Sequence, residues 1–108
     1  MRLRLTQPTD FQILAALSDG ERDVATNIAQ QIGKNRDYIN TRLPHLADYG
    51  LIKKIGPNDQ SGLYQITPLG VAAAEHQSVY SQNRDKFTNK VQETATDITI
   101  TRPTVQTE

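Results

Sequence analysis

The side chains with the most to offer chemically lie between Lys34 and Gly50. Within that segment Lys34, Asn35, Arg36, Tyr38, Asn40, Thr41, Arg42 and His45 gather cationic and hydrogen-bonding groups close together. Arginine and asparagine carry donor patterns that fit the edges of guanine and adenine, and a threonine can meet a thymine methyl group. Lysine suits phosphate. The chemistry on offer is recognition of a polyanion rather than bond making.

Catalytic chemistry finds no comparable grouping. His45 and His76 are the two histidines, and neither has metal-ligand spacing or a third partner. The carboxylates are scattered, without the pairing that acid–base work needs. The glycines sit where elements end, not in a phosphate-cradling loop. With no cysteine in the chain, disulfides, thiolate metal sites and cysteine nucleophiles are excluded. The expectation is a protein that is not an enzyme, with no cofactor, metal or small-molecule ligand inferred.

Charge narrows the reading further. The chain of 108 residues has 12 basic and 12 acidic residues, so it is formally neutral. It is therefore no general polycation. Residues 34–54 nevertheless hold Lys34, Arg36, Arg42, Lys53 and Lys54 against Asp37 and Asp48, a surplus of three positive charges. That local face is compatible with nucleic acid, and equally with a solvated surface of mixed charge. Apolar residues make up 36%, which restricts the chain to one small core. No apolar run resembles a signal peptide or membrane span. A soluble, cytoplasmic protein with no membrane partner is expected.

The elements that must position these groups follow from periodicity and punctuation. Arg2 to Leu5 alternate polar with apolar, as a short strand or an ordered arm would. Thr6 or Thr9 can cap a first helix, where Asp10 suits the positive end of the dipole. Phe11, Ile13, Leu14 and Leu17 supply its core side before Ser18-Asp19-Gly20 ends it. Val24, Ile28, Ala29 and Ile32 mark a second helix, and Gly33 permits a sharp turn at positive φ. Asn35 then caps a third helix over residues 35–49, with Ile39, Leu43, Leu46 and Ala47 inward. Thr41 and His45 face outward on it, flanked by Tyr38, Arg42 and Lys34. Gly50 suits a left-handed stop. Pro44 falls inside this helix, where proline removes an amide and crowds the preceding turn. It reads as a tolerated bend that wraps the second half onto the core, ahead of a device that aims the first two turns.

Leu51 to Ile55 and Leu63 to Ile66 are strand-like, with Gly56-Pro57 and Ser61-Gly62 bracketing a hairpin loop. The loop tip carries Asn58, Asp59, Gln60 and Ser61 but no cation. Such a hairpin would contact sugar and phosphate through hydrogen bonds, or barely touch nucleic acid at all, leaving Lys53 and Lys54 as the better phosphate partners. Thr67-Pro68 opens a last helix, threonine as cap and proline at the first helical position. That helix runs on to about Thr94. Ala73, Tyr80, Phe87 and Val91 form a narrow seam along it, with Val79 beside it. A seam so narrow favours pairing with a second copy over packing back on the first helix. From residue 96 the threonine-rich tail is expected to be flexible, with room for a short strand at Ile98–Thr101.

Taken together, the run Asn35-Arg36-Asp37-Tyr38-Ile39-Asn40-Thr41-Arg42-Leu43-Pro44, then Tyr49-Gly50-Leu51, Gly56-Pro57 and Ser61-Gly62-Leu63-Tyr64-Gln65-Ile66-Thr67 resembles a known group. It is similar to small haloarchaeal winged-helix proteins of the phi-H phage repressor-like kind, and more broadly to MarR-type regulators. The likeness spans about Pro8 to Ala74. It implies an α+β winged helix-turn-helix fold: a three-helix core, a two-stranded wing and a long C-terminal helix. Residues 1–74 would be the DNA-binding domain, 75–95 the dimerisation helix and 96–108 the tail. The resemblance also implies an archaeal transcriptional regulator, most simply a dimeric repressor, with the third helix in the major groove of double-stranded DNA. Asn35, Arg36, Tyr38, Asn40, Thr41, Arg42 and His45 would line that groove. Lys34, Lys53 and Lys54 would meet phosphates, and Asn58, Gln60 and Ser61 would serve the wing. Val79, Tyr80, Phe87 and Val91 would join two copies. The competing reading is a winged-helix protein–protein interaction module that binds no DNA.

Overall fold

The computed structural model describes residues 3–55 and 62–98. Among them six helices and one two-stranded antiparallel sheet follow in order. These are α1 (Thr9–Ala16), α2 (Ala25–Ile32), α3 (Arg36–Asp48), β1 (Ile52–Ile55), β2 (Leu63–Ile66), α4 (Pro68–Glu75), α5 (Gln77–Gln82) and α6 (Arg84–Ala95). The chain is therefore α+β. Asn58, Gln60 and Ser61 at the hairpin tip, and the tail beyond Ile98, lie outside the described residues.

The first three helices form where periodicity puts them. Phe11, Ile13 and Leu14 of α1, Ile28 and Ala29 of α2, and Ile39, Leu43 and Leu46 of α3 share one core. Gly33, at φ 73°, turns the chain between α2 and α3, and the Lys34 amide closes on the Ala29 carbonyl at 3.0 Å. Asn35 caps α3, its Oδ1 accepting the amides of Asp37 (2.7 Å) and Tyr38 (3.3 Å). At the far end the Leu51 amide reaches the Leu46 carbonyl and the Gly50 amide that of Ala47, a Schellman stop. Pro44 sits exposed within α3, which continues to Asp48. The capping expected of Thr6 or Thr9 takes another form. No side chain caps α1; instead the Asp10 carboxylate accepts the Thr6 amide at 2.7 Å.

β1 and β2 pair with Ile52 opposite Ile66 and Lys54 opposite Tyr64. The other edge of β2 is also engaged. Asp23 and Tyr64 exchange two backbone hydrogen bonds of 2.9 and 2.8 Å, so the segment leading into α2 acts as a third, one-residue strand. Gln65 is buried and donates from Nε2 to the Gly20 carbonyl at 2.6 Å. The hairpin is thus stitched to the loop between α1 and α2, which periodicity alone does not reveal.

The C-terminal region departs from expectation in two ways. It is three helices rather than one, broken at His76 and Asn83. Asn83 restarts the helix by accepting the Lys86 amide at 3.0 Å. The seam residues Tyr80, Phe87 and Val91 are buried inside this single chain, so they are not free to join two copies; Val79 is half-buried on the same core. A continuous helix over this stretch would run about 40 Å at 1.5 Å per residue, carrying its sparse apolar seam away from the core. The breaks fold that seam back onto α1. Phe11, Tyr80 and Phe87 then meet edge-to-face in all three pairs, with ring centroids 5.0 to 6.0 Å apart. The N-terminal segment is an arm rather than a strand. Leu3 and Leu5 are buried and Arg4 is exposed. The Leu3 amide donates to Thr88 Oγ1 at 3.3 Å, and the Tyr80 hydroxyl holds both the Leu5 amide (2.8 Å) and its carbonyl (2.9 Å).

Close approach fixes α4. A Cβ on Gly70 would run into the Leu51 carbonyl oxygen and come within 2.7 Å of Ile66 Cγ1. Thr67 caps α4 by accepting the Gly70 amide at 3.1 Å, and its hydroxyl donates to the Gly50 carbonyl at 2.6 Å. One threonine therefore joins the end of α3 to the start of α4.

Candidate nucleic-acid interface

At 100° per residue, the exposed arc of α3 can be read directly from its burial pattern. Asp37, Pro44 and Asp48 occupy the middle of the arc, Arg36 and Asn40 one flank, and Tyr38, Thr41 and His45 the other; all are exposed. Tyr38, 39% accessible, is the large hydrophobic side chain exposed among the described residues. Thr41 donates its hydroxyl to the Asp37 carbonyl at 3.0 Å. Its methyl and the acceptor lone pairs stay available. Arg36 lies 3.6 Å from Asp37, but both side chains are more than half exposed, so the pair holds the guanidinium only weakly. Asn35 spends its side-chain oxygen on the cap, which limits it to its amide nitrogen for any partner outside.

Arg42 is not on this surface, contrary to the expectation that it flanks the outward face. Its Nε donates to Asp10 Oδ1 at 2.9 Å and its Nη2 to Oδ2 at 2.8 Å. The Arg42 side chain is 15% exposed and that of Asp10 is completely buried. Burying a carboxylate without a partner is costly, and Asp10 shares the inward stripe of α1 with Ile13, Leu14 and Leu17, offsets three, four and seven on. Arg42 answers that demand with a planar fork that matches both oxygens. The hydrogen bond to Asp10, followed by its charge, raises the Arg42 pKa above the ordinary value, and burial works the other way. Arg42 is therefore a structural cation. The signal for it was present in the sequence: an aspartate in register with the core of an apolar helix requires a counter-charge.

The other cations divide. Lys53 and Lys54 are both exposed on β1, but neighbouring strand residues point to opposite faces. Lys54 lies 6.0 Å from the Tyr64 ring centre, while Lys53 is on the side of Gln65. The two lysines thus do not form one patch. Lys34 is half-buried at the turn before α3. With Arg42 neutralised by Asp10, Lys34, Arg36, Lys53 and Lys54 stand against Asp37 and Asp48, a surplus of two.

Among the described residues no group of three or more His, Cys, Asp or Glu side chains could hold a metal ion, and no helix is long and apolar enough to cross a membrane. His45 is exposed on α3, whereas His76 Nε2 lies 2.8 Å from Thr94 Oγ1 and braces α4 against α6. A groove lined by Gln12, Ala15, Ala16, Gln31 and Ile32 lies between α1 and α2, away from the outward arc of α3. Comparison of the chain with protein-family models, curated proteins and solved structures gives no match.

Proposed function

We propose that this chain is a winged helix-turn-helix transcriptional regulator that binds double-stranded DNA by sequence, with α3 in the major groove. The observation that carries the reading is α3 itself. It is a capped helix of 13 residues with Ile39, Leu43 and Leu46 fixed in the core, and its outward arc offers Arg36, Tyr38, Asn40, Thr41 and His45. A groove-reading helix needs a rigid inner side and short polar groups outside. The order of α1, α2, α3 and the hairpin also matches that of a winged helix, in keeping with the phi-H repressor-like resemblance. Lys53 and Lys54, on opposite faces of β1, would supply at most one phosphate contact per face. Repression would follow by occlusion of a promoter.

The proposal differs from the sequence expectation in two respects. Arg42 is withdrawn as a base reader because Asp10 holds it. Tyr80, Phe87 and Val91 are withdrawn as a dimer seam, so each chain is assigned one half-site and any pairing of chains uses other surfaces. A protein-docking role for the α3 face would call for exposed aromatic or aliphatic anchors, and Tyr38 alone does not make such a cluster. Substitutions on the outward arc test the reading. Asn40→Ala and His45→Ala are each expected to weaken binding to the preferred duplex by about 1–3 kcal/mol, at an unchanged melting temperature. Undiminished affinity in both variants would contradict it.

A further inference from the structure

An unbroken set of polar contacts runs from the C-terminal helices to α3. The Tyr80 hydroxyl, on α5, clamps both backbone groups of Leu5. The next residue, Thr6, donates its amide to Asp10 Oδ2 at 2.7 Å and accepts the Asp10 amide at its carbonyl at 2.8 Å. Asp10 in turn holds the guanidinium of Arg42 with both oxygens. Oδ2 thus serves the arm and α3 together. We propose that Tyr80 and Asp10 are positioning residues for α3: the arm, residues 3–6, ties α5 to Asp10, and Asp10 sets the angle at which α3 presents Tyr38, Thr41 and His45.

Apolar packing of Ile39, Leu43 and Leu46 in the shared core would tolerate a small roll of α3 about its axis, because dispersion contacts are weakly directional. A side-on guanidinium–carboxylate pair does not tolerate it, since both hydrogen bonds require one plane. Arg42 follows Thr41 directly and precedes His45 by three positions. A roll that moves the Arg42 fork therefore moves the outward residues with it. The fork is in turn only as well placed as Asp10, and the Thr6 amide fixes one of the two oxygens Asp10 presents. Tyr80 supplies the anchor at the other end, its ring held between Phe11 and Phe87 with the Arg84 guanidinium 5.1 Å from its centre. The part of this proposal that concerns DNA rests on the DNA-binding reading; the coupling from Tyr80 to Arg42 does not.

The test uses the full chain and Tyr80→Phe, which keeps the ring and removes both Leu5 hydrogen bonds. Asp10→Asn serves as a second variant, and Ile66→Val as a control that trims a buried methyl group outside the arm. Two readouts are taken well below the melting temperature. One is the NMR signal of the Arg42 Nε–H. The other is the ratio of affinities for the preferred and a scrambled duplex at fixed salt. Tyr80→Phe is expected to shift or broaden the Arg42 signal and to lower the ratio about tenfold, with the affinity for scrambled DNA little changed; Ile66→Val should do neither. An Arg42 signal unmoved by Tyr80→Phe would overturn the coupling, as would an equal effect of Ile66→Val. A shifted signal with an intact affinity ratio would overturn the positioning role. If the wild-type chain binds no duplex, the DNA-binding reading fails, and the Arg42 signal still decides the coupling.

Discussion

Asp10, fully buried near the start of α1, grips Arg42 of α3 side-on, 32 residues later in the chain, through hydrogen bonds of 2.9 and 2.8 Å. The pair takes one cation away from the outward face of α3 and places it between two helices. Removing one member of a buried ion pair leaves the other uncompensated and costs about 3–5 kcal/mol. Arg42→Ala is therefore expected to lower stability by that order, measured by urea unfolding. Its effect on DNA should be a loss of preference over the whole site. Relaxation at a single base position would instead identify Arg42 as a reader.

The same pair carries a pH prediction. Its hydrogen bond to Asp10 raises the Arg42 pKa. A group raised on folding contributes stability that is fully present below its unfolded pKa and is lost only as pH climbs through the folded value. For arginine both values lie far above working buffers, so the stability gap between wild type and Arg42→Ala should stay flat over about pH 7 to 9. A gap that closes across that window would mean the guanidinium is not what holds Asp10.

Phe87→Ala separates a core role from a dimer role. Phe87 is fully buried against Phe11 and Tyr80, and truncating such a residue costs about 3–5 kcal/mol. A chain of this size has roughly 5–15 kcal/mol in all, so the variant should unfold at markedly lower denaturant, by the same amount at every protein concentration. A folded variant whose only change is dissociation would restore the seam between copies.

Gly70→Ala should reverse the usual sign. In an ordinary helix interior alanine improves on glycine by about 1 kcal/mol. Here the added carbon meets the Leu51 carbonyl and Ile66, and overpacking of this kind costs roughly 1–3 kcal/mol. Thermal melting should place the variant below wild type; a higher melting temperature would show that α4 can move away from Leu51 and β2 freely.

Much of this architecture was legible in the residues, and the failures have physical causes. Gly33, Asn35 and Gly50 mark the turn, cap and stop of α3 because each meets a local backbone requirement. Ile39, Leu43 and Leu46 are inward because helical periodicity leaves them no alternative. The Asp10–Arg42 pair was missed because it joins residues distant in sequence, although the core-facing position of Asp10 announced the need for a cation. The C-terminal breaks were missed for a different reason. The seam of Tyr80, Phe87 and Val91 has the same spacing whether it faces a second copy or its own core, and only the capping asparagine at 83 indicates a restart. The Asp23–Tyr64 bridge leaves no periodic trace at all, since a one-residue strand has no pattern. Tyr38, Asn40, Thr41 and His45 are outward because the periodicity that buries Ile39, Leu43 and Leu46 leaves them on the exposed arc.

Pro44 offers a clean separation of fold from function. It is exposed inside α3 and denies the Asn40 carbonyl an amide. Pro44→Ala should raise stability by about 1–2 kcal/mol, the restored hydrogen bond being partly offset by a freer unfolded chain. Duplex affinity should not change if the proline is a tolerated bend, and a loss of affinity in the stabilised variant would assign it a part in aiming the helix.

The most direct test of the central claim is fluorescence anisotropy with the duplex upstream of the protein's own coding sequence and a scrambled duplex of equal length, titrated across a salt series. Tighter binding to the upstream duplex is expected, with affinity for both falling steeply as salt rises, because base contacts add to phosphate neutralisation. Equal affinity for the two duplexes, or no binding to either at low salt, would contradict it.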